Sequence, residues 1–322
     1  MILGIDTSNY TTSAALISRN GEALLNVKLP LPVKEGERGL RQSDAVFHHV
    51  RGLPDAARMV GEVLAAHPDD PIAAVGVSET PRDTPGSYMP CFLAGVSAAE
   101  MTAQALGVPL LRFSHQAGHV MAALTSACRK EPDRRDALLA EPFFAFHVSG
   151  GTTDLLLVNP DEKRIFSIEQ IGGSKDINAG QAVDRAGVMM GFRFPAGPSL
   201  DRAAAQAAEQ GIKPARASVS VEGTFCNLSG LENRAAALWH ETGDRAAVSL
   251  FVLDFIARTL EEMTKNAIGR YGRLPVIYAG GVMSSETVRR TLGAYGMFAD
   301  AAYSSDNAAG IAWLAQEAMR RG

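Results

Sequence analysis

Apolar residues along this chain alternate between two periods. Residues 1–5, 13–18 and 21–29 have strand character and predict a hairpin or meander, and residues 55–66 then carry apolar positions at helical spacing. Residues 73–77 predict a buried strand, 91–106 a helix rich in Ala and Gly, 109–113 another strand and 116–126 another helix. Residues 129–142 are charged, flanked by proline and without a period, as a boundary between lobes should be. Beyond them, residues 143–148, 153–158 and 163–168 repeat the opening three strands, and 274–278 form a further apolar strand. The stretch 308–320 predicts a last helix with Ile311, Ala312, Leu314 and Ala315 on one side. Two lobes that each open with a strand meander and go on with alternating helix and strand imply a duplicated α/β architecture. The N-terminal lobe is expected over 1–128 with 306–322 and the C-terminal lobe over 140–305, with the ligand in a cleft.

Composition narrows the class. With 322 residues, 46% hydrophobic content and 20% charge, the chain is long enough for two packed domains. A net charge of −4 gives no overall attraction to nucleic acid or anionic membranes, so an RNA contact needs a local basic patch. Candidates are Arg38 with Arg41, Arg129 with Lys130, Arg134 with Arg135, and Arg289 with Arg290, each of which also reads as solvated surface. The three cysteines, Cys91, Cys128 and Cys226, have no paired spacing, which argues against a disulfide framework or a thiolate zinc site. No basic-then-apolar leader precedes the first strand and no apolar run reaches the ~18 residues of a membrane span, so a cytoplasmic protein is expected.

Three turns carry the candidate chemistry. Gly4-Ile-Asp-Thr-Ser8, Ser149-Gly-Gly-Thr-Thr-Asp154 and Ala279-Gly-Gly-Val282 each follow a short apolar strand. Turns poor in side chains let backbone N–H groups approach a phosphate, and nearby hydroxyls and carboxylates can hold its metal ion. Gly150 and Gly151 suit a phosphate, Gly280 and Gly281 a nucleoside; pairs of ordinary strand-ending turns would look the same. His115 and His119 are four apart, so on a helix both imidazoles reach one metal ion, although polar helix faces also carry such pairs.

In chain order these segments resemble the TsaD family, threonylcarbamoyl transferases of tRNA modification once described as O-sialoglycoprotein endopeptidases. The resemblance rests on Gly4-Ile-Asp-Thr-Ser8, Ser114-His-Gln-Ala-Gly-His119, Val148-Ser-Gly-Gly151, Asn178-Ala-Gly-Gln-Ala-Val-Asp184, Pro195-Ala-Gly-Pro198, Leu228-Ser-Gly-Leu231, Ala279-Gly-Gly-Val282 and Ser305-Asp-Asn307. It implies an actin-like, sugar-kinase-like ATPase (ASKHA) fold with duplicated ribonuclease-H-like domains. It also implies one divalent metal, iron or zinc, on His115, His119 and Asp306, and ATP or an acyl-adenylate on Ser149, Gly150, Gly151, Thr152, Asp184, Gly197, Gly280 and Gly281. Asp184 matches the ribose-holding aspartate, and Asp6 and Ser8 stand at the catalytic end of the first strand, Asp6 as a polar group near phosphate or metal. The implied reaction passes a threonylcarbamoyl group from its adenylate to a tRNA adenosine, in company with partner proteins of a tRNA-modification complex.

Departures from the family pattern keep a second reading open. Ser8-Asn9-Tyr10-Thr11 lacks the acidic pair usual after the opening Thr-Ser, Thr152 replaces a histidine and Ser285 an asparagine. Gly150-Gly-Thr-Thr-Asp154 resembles the second phosphate loop of ordinary actin-fold ATPases, whose acid holds magnesium through water. The alternative is therefore a divergent paralogue, an ATP-binding or ATP-hydrolysing protein of regulatory or assembly role. A small-molecule kinase ranks lower, because no separate sugar-binding acid or base is evident. A peptidase is disfavoured: Gln116 stands where a His-Glu-x-x-His protease needs its general base, and Val148-Ser-Gly-Gly151 lacks the glycine of a nucleophile elbow.

Overall fold

The computed structural model describes residues 1–8, 10–32, 40–304 and 308–322. They divide into two compact units, Met1–Leu139 with Pro160–Ile168 and Ala302–Gly322, and Ala140–Asn159 with Glu169–Ala301.

Unit 1 is built on five strands: β1 (Ile2–Ser8), β2 (Thr11–Ile17), β3 (Ala23–Pro30), β4 (Ala74–Thr80) and β5 (Leu110–Ser114), in the order β3-β2-β1-β4-β5. β1 is antiparallel to β2 and parallel to β4, and all seven of its residues are buried. A strand covered on both faces explains why its polar residues come only at its end. Helices α1 (Gln42–Ala66) and α2 (Phe92–Leu106) pack against β2, β1 and β4, while α3 (His115–Ala127) packs on the C-terminal helix α10 (Ala309–Arg321). Gly4 lets α10 approach: a Cβ there would stand 2.8 Å from the Ala312 nitrogen.

Two sequence expectations change here. The helix predicted over 55–66 starts at Gln42 and runs through Pro54. Its buried stripe, Ala45, His49, Ala56 and Val60, is continuous across the proline, so packing outweighs the lost backbone bond. The aperiodic stretch 129–142 holds a short helix, α4 (Pro132–Leu138), with proline at its first turn and Leu138 buried.

Unit 2 carries β6 (Phe143–Val148) and most of β7 (Thr153–Asp161) and β8 (Ile165–Ser174), whose stretch Pro160–Ile168 groups with unit 1, then α5 (Ala179–Met189), α6 (Gly197–Glu209), β9 (Ser220–Glu222) and β10 (Phe225–Asn227). It continues with α7 (Ser229–Thr242), α8 (Arg245–Tyr271), β11 (Val276–Ala279), α9 (Glu286–Leu292) and β12 (Met297–Phe298). The sheet order is β12-β11-β6-β7-β8-β10-β9. β6 is antiparallel to β7 and parallel to β11, which repeats the relation of β1 to β2 and β4. The strand order 3-2-1-4-5 thus occurs in both units, with β9 and β10 added at one edge of the second. The 27-residue α8 supplies much of the unit 2 core, with Phe251, Phe255, Ile256 and Met263 all buried.

All three cysteines are buried free thiols, and burial pushes Cys91 up to about 11 and Cys226 up to about 12. Among the described residues no helix is long and apolar enough to cross a membrane.

Candidate functional site

The polar end of β1 meets the start of α3. Alternation along the strands puts Asp6 on the same face as Ser13 of β2, directly opposite it, and Asp6 is wholly buried. Its Oδ1 accepts from the Ser78 hydroxyl of β4 and from His115 Nδ1, the latter at 3.0 Å. A carboxylate only accepts, so the His115 proton sits on Nδ1 and, in the neutral ring, Nε2 carries the lone pair. His119 stands one turn on, its Nε2 2.9 Å from that of His115.

Sequence-local chemistry holds this helix start in place. Ser114, the last residue of β5, caps α3: its Oγ accepts from the Ala117 N–H at 3.2 Å and donates to Asp83 at 2.8 Å. Phe92 of α2 covers the His115 ring at a centroid distance of 6.1 Å. The Ser8 hydroxyl is buried and has no hydrogen-bond partner among the described residues.

Two nitrogens about 2.0–2.1 Å from one ion stand ~3 Å apart, so this imidazole pair fits a shared divalent metal. Asp6 behind His115 is the arrangement in which a metal-bound histidine has its other nitrogen fixed by a carboxylate. Among the described residues no group of three or more His, Cys, Asp or Glu side chains could hold a metal, and Asp306, the expected third ligand, lies outside them.

In unit 2 the Ser149–Thr152 turn closes with the Ser149 N–H on the Thr152 carbonyl at 2.7 Å. The start of α5 lies against it. Asn178 and Gln181 form a capping box, and Gly180 packs so closely that a Cβ there would meet the Gly150 nitrogen at 2.6 Å. Gly180, Val183 and Asp184 then line a cavity of about 500 Å3 together with Gly150, Gly197 and Gly281. That is the size of a small-molecule site. Asp184 accepts from the Ala196 N–H at 2.7 Å, fixing one oxygen of the carboxylate that enters the cavity. Leu253, Val282 and Pro195 give it an apolar wall.

The cavity separates the expected glycines. Gly150 and Gly281 have open space where a side chain would stand, whereas Gly280, at φ 106°, packs against the Val148 carbonyl, a Cβ there lying 2.1 Å from its oxygen. Gly280 thus serves the β6–β11 approach, and Ser149, Gly151 and Thr152 shape the turn without lining the cavity. Asp201 and Ser285 also line it, and Ser285 donates to the Asp201 carboxylate. Sequence reasoning missed Asp201; its signal was the spacing of four from Gly197, which puts it on the same face of α6.

A larger cavity of about 750 Å3 opens at the other end of β1, beside Met1, Arg135, Trp313 and Arg320. None of the residues expected to hold metal or nucleotide lines it, whereas Arg129 and Arg135, two of the basic residues considered for RNA, do.

The model of the family "TsaD: tRNA N6-adenosine threonylcarbamoyltransferase" matches residues 43–313. A protein of Streptococcus suis strain 05ZYH33 named tRNA N6-adenosine threonylcarbamoyltransferase is 30% identical over 305 residues, 91% of this chain and 83% of that protein. One of the same name from Methanopyrus kandleri is 28% identical over 97% of this chain and 85% of its own length. Among solved structures, full-length HypF in phosphate- and nucleotide-bound form aligns with a TM-score of 0.56 at 11% identity, covering 99% of this chain and 55% of that one. A ROK family glucokinase of Streptomyces griseus aligns with a TM-score of 0.52 at 12% identity over 99% of each chain. These neighbours give the fold as α/β of the actin-like ATPase type.

Proposed function

The chain belongs to the TsaD family, and we propose on that premise that it transfers a threonylcarbamoyl group to the exocyclic amine of a tRNA adenosine, with the acyl group delivered as its adenylate. In balance, the amine nitrogen attacks the carbamoyl carbon and a C–N bond forms. The mixed-anhydride C–O bond breaks, AMP leaves with the electron pair, and the amine proton passes to solvent.

The observation that carries this reading is the convergence of His115 Nε2 and His119 Nε2 with Asp6 behind the first ring. His115 and His119, with Asp306 as third ligand, would hold an iron or zinc ion, which when bound supplies Lewis-acid polarisation of an acyl carbonyl. Asp6 keeps His115 in the tautomer whose lone pair faces His119. In unit 2, the Gly150 backbone is open to phosphate, Asp184 and Asp201 present acceptors for ribose hydroxyls or an amine, and Val183 and Leu253 offer a surface for the base. Partner proteins of a tRNA-modification complex and a cytoplasmic location belong to the same proposal.

Metal content of the purified protein and of His115→Ala/His119→Ala, followed by incubation with threonylcarbamoyl adenylate and unmodified tRNA, tests it. The account predicts metal and modified tRNA nucleoside in the wild type and neither in the variant. ATP turnover with no tRNA product, in protein that holds metal, would favour the ATPase alternative instead.

A further inference from the structure

The link from α5 to α6 presents two aromatic rings on either side of an arginine. α5 closes in a Schellman turn: Gly191, at φ 82°, donates its N–H to the Val188 carbonyl at 2.9 Å, and the Phe192 N–H reaches the Gly187 carbonyl at 2.9 Å. At the far end of the link, Asp184 holds the Ala196 N–H. Phe192-Arg193-Phe194 is thus fixed on both sides, yet Phe194 is 75% exposed and Arg193 stands in solvent. A single exposed apolar side chain is ordinary surface, but this alternation in a loop anchored at both ends asks for a partner.

The link separates two concavities of unit 2. On one side is an open cleft of about 740 Å3 lined by Phe192, Gln206, Trp239 and Arg245. There the Arg245 guanidinium lies over the Phe192 ring, 5.4 Å from its centroid, and Gly191 makes room for it, since a Cβ on Gly191 would stand 3.1 Å from Arg245 Nη2. On the other side, Pro195, Gly197 and Arg202 line the cavity that Asp184 enters. Arg193, Arg202 and Arg245 are all exposed and, among the described residues, none of them shares an ion pair, whereas Arg185, Arg258 and Lys265 of the same unit are paired with Glu232, Asp254 and Glu261. Basic residues expected from the sequence to meet RNA are engaged elsewhere: Arg134 and Arg135 pair with Glu131 and Asp136, and Arg289 donates to the Met283 and Ala299 carbonyls.

We propose that this surface holds the single-stranded loop of the RNA substrate, with Phe194 stacked on an unpaired base and Arg193 and Arg245 on the flanking phosphates. The inference rests on the reading of the chain as a tRNA-modifying transferase and names residues that meet the acceptor. An unpaired base offers a π-face that aromatic rings and guanidinium planes accept, and its phosphates take arginine. In a chain of net charge −4, three arginines without carboxylate partners supply the local basic patch that RNA needs. The patch also borders the cavity proposed for the adenylate, which the acceptor nucleoside must approach.

The test is fluorescence anisotropy with a labelled, unmodified tRNA transcript over a series of salt concentrations. It compares the wild type with Phe194→Ala, Phe194→Trp, Arg193→Ala and Arg245→Ala, each checked for its melting temperature. Phe194→Ala is expected to weaken RNA by about fivefold or more, and Phe194→Trp, which keeps a stacking face, by no more than about twofold. Arg193→Ala and Arg245→Ala are each expected to weaken it and to flatten the salt dependence by about one phosphate contact. Wild-type affinity and salt dependence in the folded alanine variants would overturn the proposal, leave the transfer reading standing and give the surface to a protein partner. Wild-type protein that binds no tRNA would overturn it as well. RNA held through this loop, with no threonylcarbamoyladenosine formed on addition of the adenylate, would sustain the surface and count against the transfer reading instead.

Discussion

Asp6 Oδ1 and His115 Nδ1 stand 3.0 Å apart, so a residue at the end of the first strand sets the proton position of an imidazole 109 residues later. Replacing Asp6 by Asn keeps the shape and removes the charge that favours Nδ1–H. Metal affinity is expected to fall by about 10–100-fold, the usual effect of losing such a support, with the fold retained. Chelator competition on Asp6→Asn measures it.

Ser114→Ala removes both the cap of α3 and the link to Asp83. Loss of an N-cap costs about 0.5–2 kcal/mol, and here it also frees the helix turn that carries His115. Urea unfolding is expected to show that loss, and metal occupancy to fall with it.

Gly281 lines the unit 2 cavity and a Cβ there meets no neighbour within 4 Å, so Gly281→Val adds bulk at that wall. The expected result is an unchanged melting temperature with ADP affinity reduced by about tenfold or more. Asp184→Ala should cost both, because the Ala196 N–H loses its acceptor.

Asp176 gives an acid dependence of known sign. Burial raises its pKa, but N–H bonds from Leu228, Ser229 and Ile177 outweigh it and hold the carboxyl well below its usual range. A folded-state pKa below the unfolded value of ~3.9 means stability that is present above about pH 4 and lost as the pH falls through the folded value. Asp176→Asn should therefore lower the urea midpoint at pH 7, and the gap from wild type should shrink by pH 3.

The fold was most legible where period and burial agree. Residues 143–148 were read with the bounds the strand has, because Phe143, Phe144, Phe146 and Val148 are buried on both faces. Pro54 hid the first half of α1, since local sequence shows the broken backbone bond but not the β2 surface that keeps the helix together. In the site, the four-residue spacing of His115 and His119 was readable as one helix face. The contact of His115 with Asp6 was not, because strand alternation fixes the face of Asp6 while only tertiary packing brings α3 over it. Asp201 was missed for the same reason: a carboxylate on α6 looks like surface until Ser285 is seen beside it.

The central claim is tested most directly by nucleoside analysis of tRNA from host cells in which this chain is replaced by the His115→Ala/His119→Ala variant. The account predicts that threonylcarbamoyladenosine is lost while the folded variant persists. Undiminished modification in those cells would contradict it.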